Sequence, residues 1–174
     1  MHDLLDQIDS ASAAHLYYVA LCSALAVPDI AGALQSPNGL ATGQNYADWF
    51  DTNVGSRYVS RGSQTLTGQD CYYFRCSMLH QGTAQLQNSK AGISRILFLE
   101  PGKGLIFHNN TFTTGGVTVL NIDVGIFCAD ITACARVWLS SAQPTPLFQQ
   151  NFAKCVARHP QGIAPYIVGS PVIG

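Results

Sequence analysis

The spacing of apolar residues changes twice along the chain, and this restricts the folds that are open to it. Up to residue 82, and again over residues 123–160, apolar side chains recur at the intervals of an α-helix. Over about residues 93–122, short apolar runs alternate with glycine-rich turns, which is typical of short strands. We therefore predict a mainly α fold, a helical bundle (residues 1–82 and 123–160) with a small antiparallel β insertion (about residues 93–122). The 174 residues are expected to form a single domain, 1–174.

Turn and helix-capping residues indicate where the individual helices and strands begin and end. The first helix is predicted from Asp3 to about Ala26, because no Gly or Pro interrupts it before Pro28. Pro28 suits the first turn of a second, short helix. The other predicted elements are helices at residues 29–35, 43–54, 67–82, 124–138 and 145–160, strands at 96–99, 105–107 and 117–120, and a C-terminal tail that lies across the surface. The core is expected to contain the aromatic residues Trp49, Phe50, Phe127, Trp138 and Phe152.

The low content of charged residues bears on the partners of the chain. Hydrophobic residues make up 47% of the sequence and charged residues only 11%, well below the usual quarter. So few charges leave apolar surface to be buried against another chain, and we expect a homo-oligomer, most simply a two-fold homodimer. The net charge of −1 provides no general attraction for nucleic acid, so any contact with RNA must be local.

The spacing of the cysteines bears on metal binding, and the N-terminus bears on the location of the protein in the cell. The six cysteines form no Cys-x-x-Cys pair and match no histidine spacing, so no zinc site, no other metal and no cofactor is expected. The N-terminus has neither a basic region nor a continuous apolar run, and no uninterrupted apolar stretch approaches the ~20 residues of a membrane span. We therefore expect a cytoplasmic protein without a membrane partner.

Residues 67–82 carry the pattern with the most direct chemical meaning. Thr67 and Asp70 are typical of a capping box, and Gly82 is typical of the position just after a helix. The helix between them places Arg75 and His80 near its C-terminal end, where the helix dipole favours a protonated imidazole. An arginine that is always charged beside an imidazole that titrates near neutrality can cleave a phosphodiester without a metal.

Two interpretations of this pair stay open. Residues five apart on an ideal α-helix point about 140° from each other, so Arg75 and His80 do not share a face. They can converge only through a frayed last turn, long side-chain reach or residues of a partner. In the alternative interpretation, Arg75 pairs with a carboxylate such as Asp29 or Asp48, and His80 only bonds the end of its helix.

Three further residues are candidates for substrate binding. Arg57 and Arg61 lie with Tyr58 in a polar loop before the motif helix, and Gln81 follows His80 directly. Together they could hold a phosphate backbone or stack a base. The alternative interpretation of the two arginines is an ordinary solvated loop.

The segment Tyr73-Phe74-Arg75-Cys76-Ser77-Met78-Leu79-His80-Gln81-Gly82 resembles the Arg-x4-6-His signature of HEPN domains. Many members of that family are metal-independent endoribonucleases of toxin, antiviral and RNA-processing systems. The family usually has Asn, Asp or His directly after the arginine, where this chain has Cys76. The resemblance covers the motif helix, and the β insertion is not part of the minimal HEPN fold.

The resemblance implies an all-helical dimer in which Arg75 and His80 of both subunits line a shared cleft. His80 would then be the general acid or base for attack of the RNA 2′-OH on the adjacent phosphate, and Arg75 would stabilise the phosphoryl oxygens. Implied partners are RNA and an antitoxin or other protein. The alternative is a HEPN-like module without cleavage activity that serves dimerisation, nucleic-acid binding or partner binding. A third interpretation is an unrelated interaction domain with an accidental motif.

Overall fold

The computed structural model describes residues 1–84, 86, 89, 92–102 and 104–174. This part of the chain is mainly α, as predicted, with six α-helices and short strands. The helices are α1 (His2–Ala13), α2 (Tyr17–Gln35), α3 (Gly43–Asn53), α4 (Gly68–Cys76), α5 (Val124–Ala142) and α6 (Pro146–Phe152), with a 3-10 turn at Gly55–Arg57 and a π-helical turn at Ser77–Gln81. The strands are β1 (Val59–Ser60), β2 (Ser63–Gln64), β3 (Arg95–Leu99), β4 (Asn110–Thr114), β5 (Val117–Asp123), β6 (Arg158–His159), β7 (Gly162–Ile163), β8 (Ile167–Val168) and β9 (Val172–Ile173).

Helices α2 and α5 form the centre of the bundle. Both pack against α1 and α3 and against each other, and α6 covers α2. Four of the five aromatic residues predicted for the core are buried, while Phe152 packs against the core and is partly exposed. Both α2 and α5 are long and apolar enough to cross a membrane. About half of each helix is buried inside the bundle, as is usual for core helices.

The prediction of one helix from Asp3 to about Ala26 is wrong. The chain leaves α1 at Ala13 and turns at His15, whose φ of 60° lies in the left-handed region and cannot continue a helix. Pro28 does not begin a helix but lies inside α2. Proline has no backbone N–H, so α2 lacks one backbone hydrogen bond at this position. The burial of apolar side chains on several sides of α2 outweighs this loss of stability.

The β insertion differs from the prediction in pairing direction. β5 lies between β3 and β4, and it is antiparallel to β4 but parallel to β3, so the sheet is mixed. The chain between β3 and β5 crosses over and includes β4, and such a long connection can join parallel neighbours. The predicted strand at residues 105–107 is instead an exposed loop, and Lys103 of the insertion lies outside the described residues.

The C-terminal region also departs from the prediction. Helix α6 ends at Phe152 rather than near residue 160, and Val156, beyond its end, is 73% exposed and contributes nothing to the core. The chain beyond it forms two small antiparallel pairs, β6 with β9 and β7 with β8. The predicted surface tail is therefore folded, as a hairpin of β7 and β8 that the pair of β6 and β9 encloses. A second hairpin, β1 with β2, was not predicted.

Candidate functional site

Helix α4 is held in place by its first residues. The Thr67 hydroxyl accepts a hydrogen bond from the Asp70 backbone N–H (3.1 Å) and donates one to the Asp70 carboxylate (2.6 Å), so the predicted cap at this end is confirmed. Gly68 lies directly against α3, where a Cβ atom would overlap the Ala47 carbonyl oxygen and lie 2.7 Å from its Cα. The N-terminus of the motif helix is therefore fixed against the core.

The other end of the motif helix widens into a π-helical turn, Ser77–Gln81. In such a turn the hydrogen bonds run over five residues instead of four, so side chains five apart come close to the same face. Arg75 Nη1 is accordingly 2.9 Å from His80 Nε2. Gly82 ends the turn with a φ of 66°, as predicted from the sequence. The π turn supplies the convergence that an ideal α-helix would not allow.

Arg75 also forms an ion pair with Asp29 of α2. The distance between Arg75 Nη2 and Asp29 Oδ2 is 2.7 Å, and the two side chains are 22% and 16% exposed. Of the two carboxylates considered from the sequence, Asp29 is thus the partner, while Asp48 accepts a hydrogen bond from Gln44. The result is a chain of contacts, Asp29 to Arg75 to His80, that runs from a largely buried carboxylate to an exposed imidazole.

The contact between Arg75 and His80 sets the form of the imidazole. A guanidinium can only donate hydrogen bonds, so His80 Nε2 must accept and must carry a lone pair. A hydrogen bond in this direction requires a neutral imidazole with its proton on Nδ1. Neutral imidazole is the form that can accept a proton.

The guanidinium of Arg75 retains hydrogen-bonding capacity. Its Nε is a buried donor that has no acceptor among the described residues. Cys76 follows Arg75 directly, and its thiol lies 4.0 Å from Arg75 Nη1. The hydrogen bond of this thiol with the Tyr72 hydroxyl, one turn earlier, raises the pKa of Tyr72. Sulfur and phenol groups thus flank the pair, and the buried Nε of Arg75 is not open to an incoming acceptor.

The other candidate residues lie apart from this chain of contacts. The Arg57 guanidinium donates to the Asp130 carboxylate at 2.6 Å, and the Tyr58 hydroxyl donates to the same carboxylate at 3.3 Å. Arg61 occupies the β1–β2 turn with a φ of 51° and lines a polar cavity beside Asn109. Gln81 is exposed next to His80. Substrate binding by Arg57, Arg61 and Gln81 stays a prediction, and Asp130 already compensates the charge of Arg57.

Replacing Asp29 with asparagine is expected to change how stability depends on pH. Burial raises the pKa of Asp29, and the nearby Arg75 offsets this only in part. The folded state therefore binds the proton of the Asp29 carboxyl more tightly than the unfolded state does. The resulting contribution to the free energy of unfolding is fully present below the ordinary pKa of aspartate, about 3.9. It is lost as the pH rises through the folded pKa. The wild type should therefore lose stability relative to Asp29→Asn as the pH rises.

Urea denaturation of both proteins at several pH values between about 3 and 7 measures this difference. Asp3→Asn is the matched control, since Asp3 is an exposed aspartate at the start of α1. A wild-type advantage that grows with pH would contradict the expectation, and would mean that Arg75 rather than burial dominates the titration of Asp29.

Within the described ranges, no group of three or more His, Cys, Asp and Glu side chains is close enough to hold a metal ion, and all six cysteines are free thiols. No protein-family model, no curated protein sequence and no solved structure matches the chain. The function is therefore inferred from the geometry around Arg75 and from the resemblance of the motif.

Proposed function

We propose that the protein is a metal-independent endoribonuclease of the HEPN type, with Arg75 and His80 as its catalytic residues. The observation that carries this proposal is the 2.9 Å contact between Arg75 Nη1 and His80 Nε2 at an exposed helix end. The π turn produces this contact, and such turns occur frequently at functional sites. A cation and a neutral imidazole side by side provide the two groups that RNA cleavage through its own 2′-OH requires.

The proposed reaction begins when an RNA phosphate approaches Arg75. A phosphoryl oxygen accepts hydrogen bonds from the guanidinium and draws it away from His80, which frees the Nε2 lone pair. The 2′-OH then gives its proton to Nε2 while its oxygen bonds to phosphorus. The bond from phosphorus to the 5′-oxygen breaks, and this oxygen takes a proton from water. The products are a 2′,3′-cyclic phosphate and a 5′-hydroxyl.

In this mechanism Asp29 is a positioning residue. Its carboxylate holds one edge of the Arg75 guanidinium through the 2.7 Å ion pair, which orients the other edge toward His80. Planar guanidinium groups are suited to such two-sided contacts. Asp29 should therefore influence cleavage through the orientation of Arg75 and not through contact with the RNA.

We propose further that the active form is a homodimer. The chain exposes 9,792 Å² of surface, whereas a compact monomer of 18.6 kDa would expose about 8,200 Å². The excess of about 1,600 Å² exceeds the roughly 800 Å² per partner that a standard interface buries. Part of the exposed area is apolar, including Leu105, Tyr166 and Ile173, which are each more than 75% exposed.

Light scattering is expected to give about twice the 18.6 kDa chain mass at micromolar concentration. A mass equal to that of one chain across this range would contradict the dimer. The cleavage chemistry itself would not be excluded by that result, since Arg75 and His80 already meet within one chain.

A second function is favoured by two specific observations. Cys76 stands where the HEPN family usually has Asn, Asp or His, and the ion pair with Asp29 compensates the charge of Arg75. Both observations fit a HEPN-like module that binds RNA or a partner protein, such as an antitoxin, without cleaving RNA. In that case Arg75 and His80 would contribute to binding or dimerisation only.

Cleavage of labelled single-stranded RNA in the presence of EDTA tests the proposed function. DNA of the same sequence is the control, because it lacks the 2′-OH that acts as nucleophile. RNA should be cut and DNA should stay intact. If neither is cut, the module without cleavage activity is favoured, and cleavage of both strands would contradict the proposed mechanism.

A further inference from the structure

Strand β4 lies at the edge of the mixed sheet, and its outer side is open. The strand order is β3-β5-β4, and within the part of the chain that is described no strand pairs with β4 on the side away from β5. Hydrogen bonds with Thr65 and Val59 hold the side chain of Asn109, just before the strand. The residues that follow, Thr111–Thr114, are all exposed. Backbone N–H and C=O groups on this side are therefore available to a further strand.

β4 also lacks the features that usually protect an edge strand. Native edge strands carry charged residues or proline, contain a bulge, or are covered by a loop or helix. The strand has the sequence Asn-Thr-Phe-Thr-Thr, and residues 104–122 contain no Asp, Glu, Lys, Arg or Pro. The register of β4 with β5 runs without a bulge. The other edge strand of the sheet, β3, begins with the charged residue Arg95.

Exposed apolar side chains lie on and near this edge. Phe112 is in the middle of β4 and is 61% exposed, and Val117 at the start of β5 is 45% exposed. Leu105 and Ile106, in the loop before the strand, are 84% and 71% exposed. A strand that pairs with β4 would therefore gain backbone hydrogen bonds and also bury apolar surface.

We propose that the outer edge of β4 pairs antiparallel with β4 of a second copy of the chain. This inference rests on the homodimer proposed above and assigns its interface. The pairing joins two three-stranded sheets into one of six strands, with the two-fold axis at Phe112.

The sequence of β4 fits a copy of itself in this register. Phe112 lies opposite Phe112 of the partner subunit, and Thr111 lies opposite Thr113 of the partner subunit. Aromatic pairs and threonine pairs both stabilise neighbouring strands. Thr113 already forms such a pair within the sheet, since its hydroxyl oxygen is 3.0 Å from that of Thr118. The pairing places no charged side chain of one strand against the other.

The available area is also sufficient for a second copy. The chain exposes about 1,600 Å² more than a compact monomer of its mass, and a standard interface buries roughly 800 Å² per partner. A five-residue strand spans only about 17 Å, so the apolar residues beside it contribute to the interface as well.

This interface lies apart from the motif helix. It is β3, at the other edge of the sheet, that packs against α4, with the rings of Phe98 and Phe74 5.1 Å apart. Strand β5 separates β3 from β4. Each subunit therefore keeps its own pair of Arg75 and His80, in contrast to the shared cleft that the HEPN resemblance implies.

Two charge variants of Phe112 test the interface by light scattering. Phe112→Lys places two ammonium groups opposite each other across the two-fold axis, and Phe112→Asp places two carboxylates there. Each variant alone should form the dimer at least about 100-fold more weakly than the wild type, because like charges in an interface repel. An equimolar mixture should recover a mass of about twice 18.6 kDa, since opposite charges then face each other.

Tyr166→Lys is the matched control, because Tyr166 is an aromatic residue that is 85% exposed and lies outside the mixed sheet. This variant should remain a dimer. A Phe112 variant that dimerises as tightly as the wild type, or a mixture that stays monomeric, would overturn this interface and leave the proposed homodimer in place.

A monomeric wild type would contradict both the homodimer and its interface, and would leave the β4 edge to a strand of a different protein. RNA cleavage by the wild type is measured separately. A dimer that behaves as described above but does not cut RNA would support the interface and contradict the ribonuclease proposal alone.

Discussion

Replacement of His80 with alanine is expected to lower the rate of RNA cleavage by about 10² to 10⁴-fold, the usual contribution of a positioned proton acceptor. The imidazole is exposed, so substrate can reach it, and its Nε2, the proposed proton acceptor, faces Arg75. The folded structure should be preserved. Stability should change by no more than about 0.5 kcal/mol, because the side chain contributes little to the core.

His2→Ala is the matched control for this experiment. His2 is also exposed and also lies at a helix end, but it is at the start of α1 and outside the motif. Its replacement should leave the cleavage rate within about twofold of wild type. Equal rates for wild type and His80→Ala would assign the activity to another site or to a contaminant.

Replacement of Gly68 with alanine is expected to destabilise the fold by about 3 kcal/mol, or about 6 to 12 °C in Tm. The added Cβ would overlap the Ala47 carbonyl oxygen and approach its backbone carbon to 2.8 Å. A flexible side chain could move aside, but the backbone of α3 cannot do so without shifting the helix. Since Arg75 is on the helix that Gly68 begins, cleavage should fall as well.

Gly102→Ala provides the comparison for this prediction. Nothing lies within 4 Å of a Cβ at Gly102, and its backbone does not require glycine. Alanine there should change stability by about 0.5 kcal/mol or less, as measured by thermal unfolding. If Gly68→Ala were equally neutral, the close packing of α4 on α3 would not be the feature that positions the motif helix.

Local signals in the sequence predicted much of the fold. Capping by Thr67 and termination at Gly82 are properties of neighbouring residues, and both agree with the structure. The break at His15 was not predictable in this way, because a non-glycine residue adopts a left-handed conformation in only a few per cent of cases and histidine is not a specific turn signal. The parallel pairing of β3 with β5 depends on the path of the chain between them, which short apolar runs do not determine.

Part of the candidate site was predicted from residues that lie close together in the sequence. Arg75 and His80 were identified from residue chemistry and spacing, and Asp29 was considered as an alternative partner for Arg75. An ideal α-helix separates the two motif residues, and only the π turn brings them together. The groove between α2, α3 and α5 that Trp49 and Trp138 line was not predicted, because its residues come from distant parts of the sequence and meet only through packing.

The most direct test of the account identifies the ends of RNA fragments that the wild type and His80→Ala produce in EDTA. The wild type is expected to give fragments with 2′,3′-cyclic phosphate and 5′-hydroxyl ends, and His80→Ala is expected to give almost none. Fragments with 5′-phosphate ends, or equal yields from the two proteins, would contradict a ribonuclease centre built from Arg75 and His80.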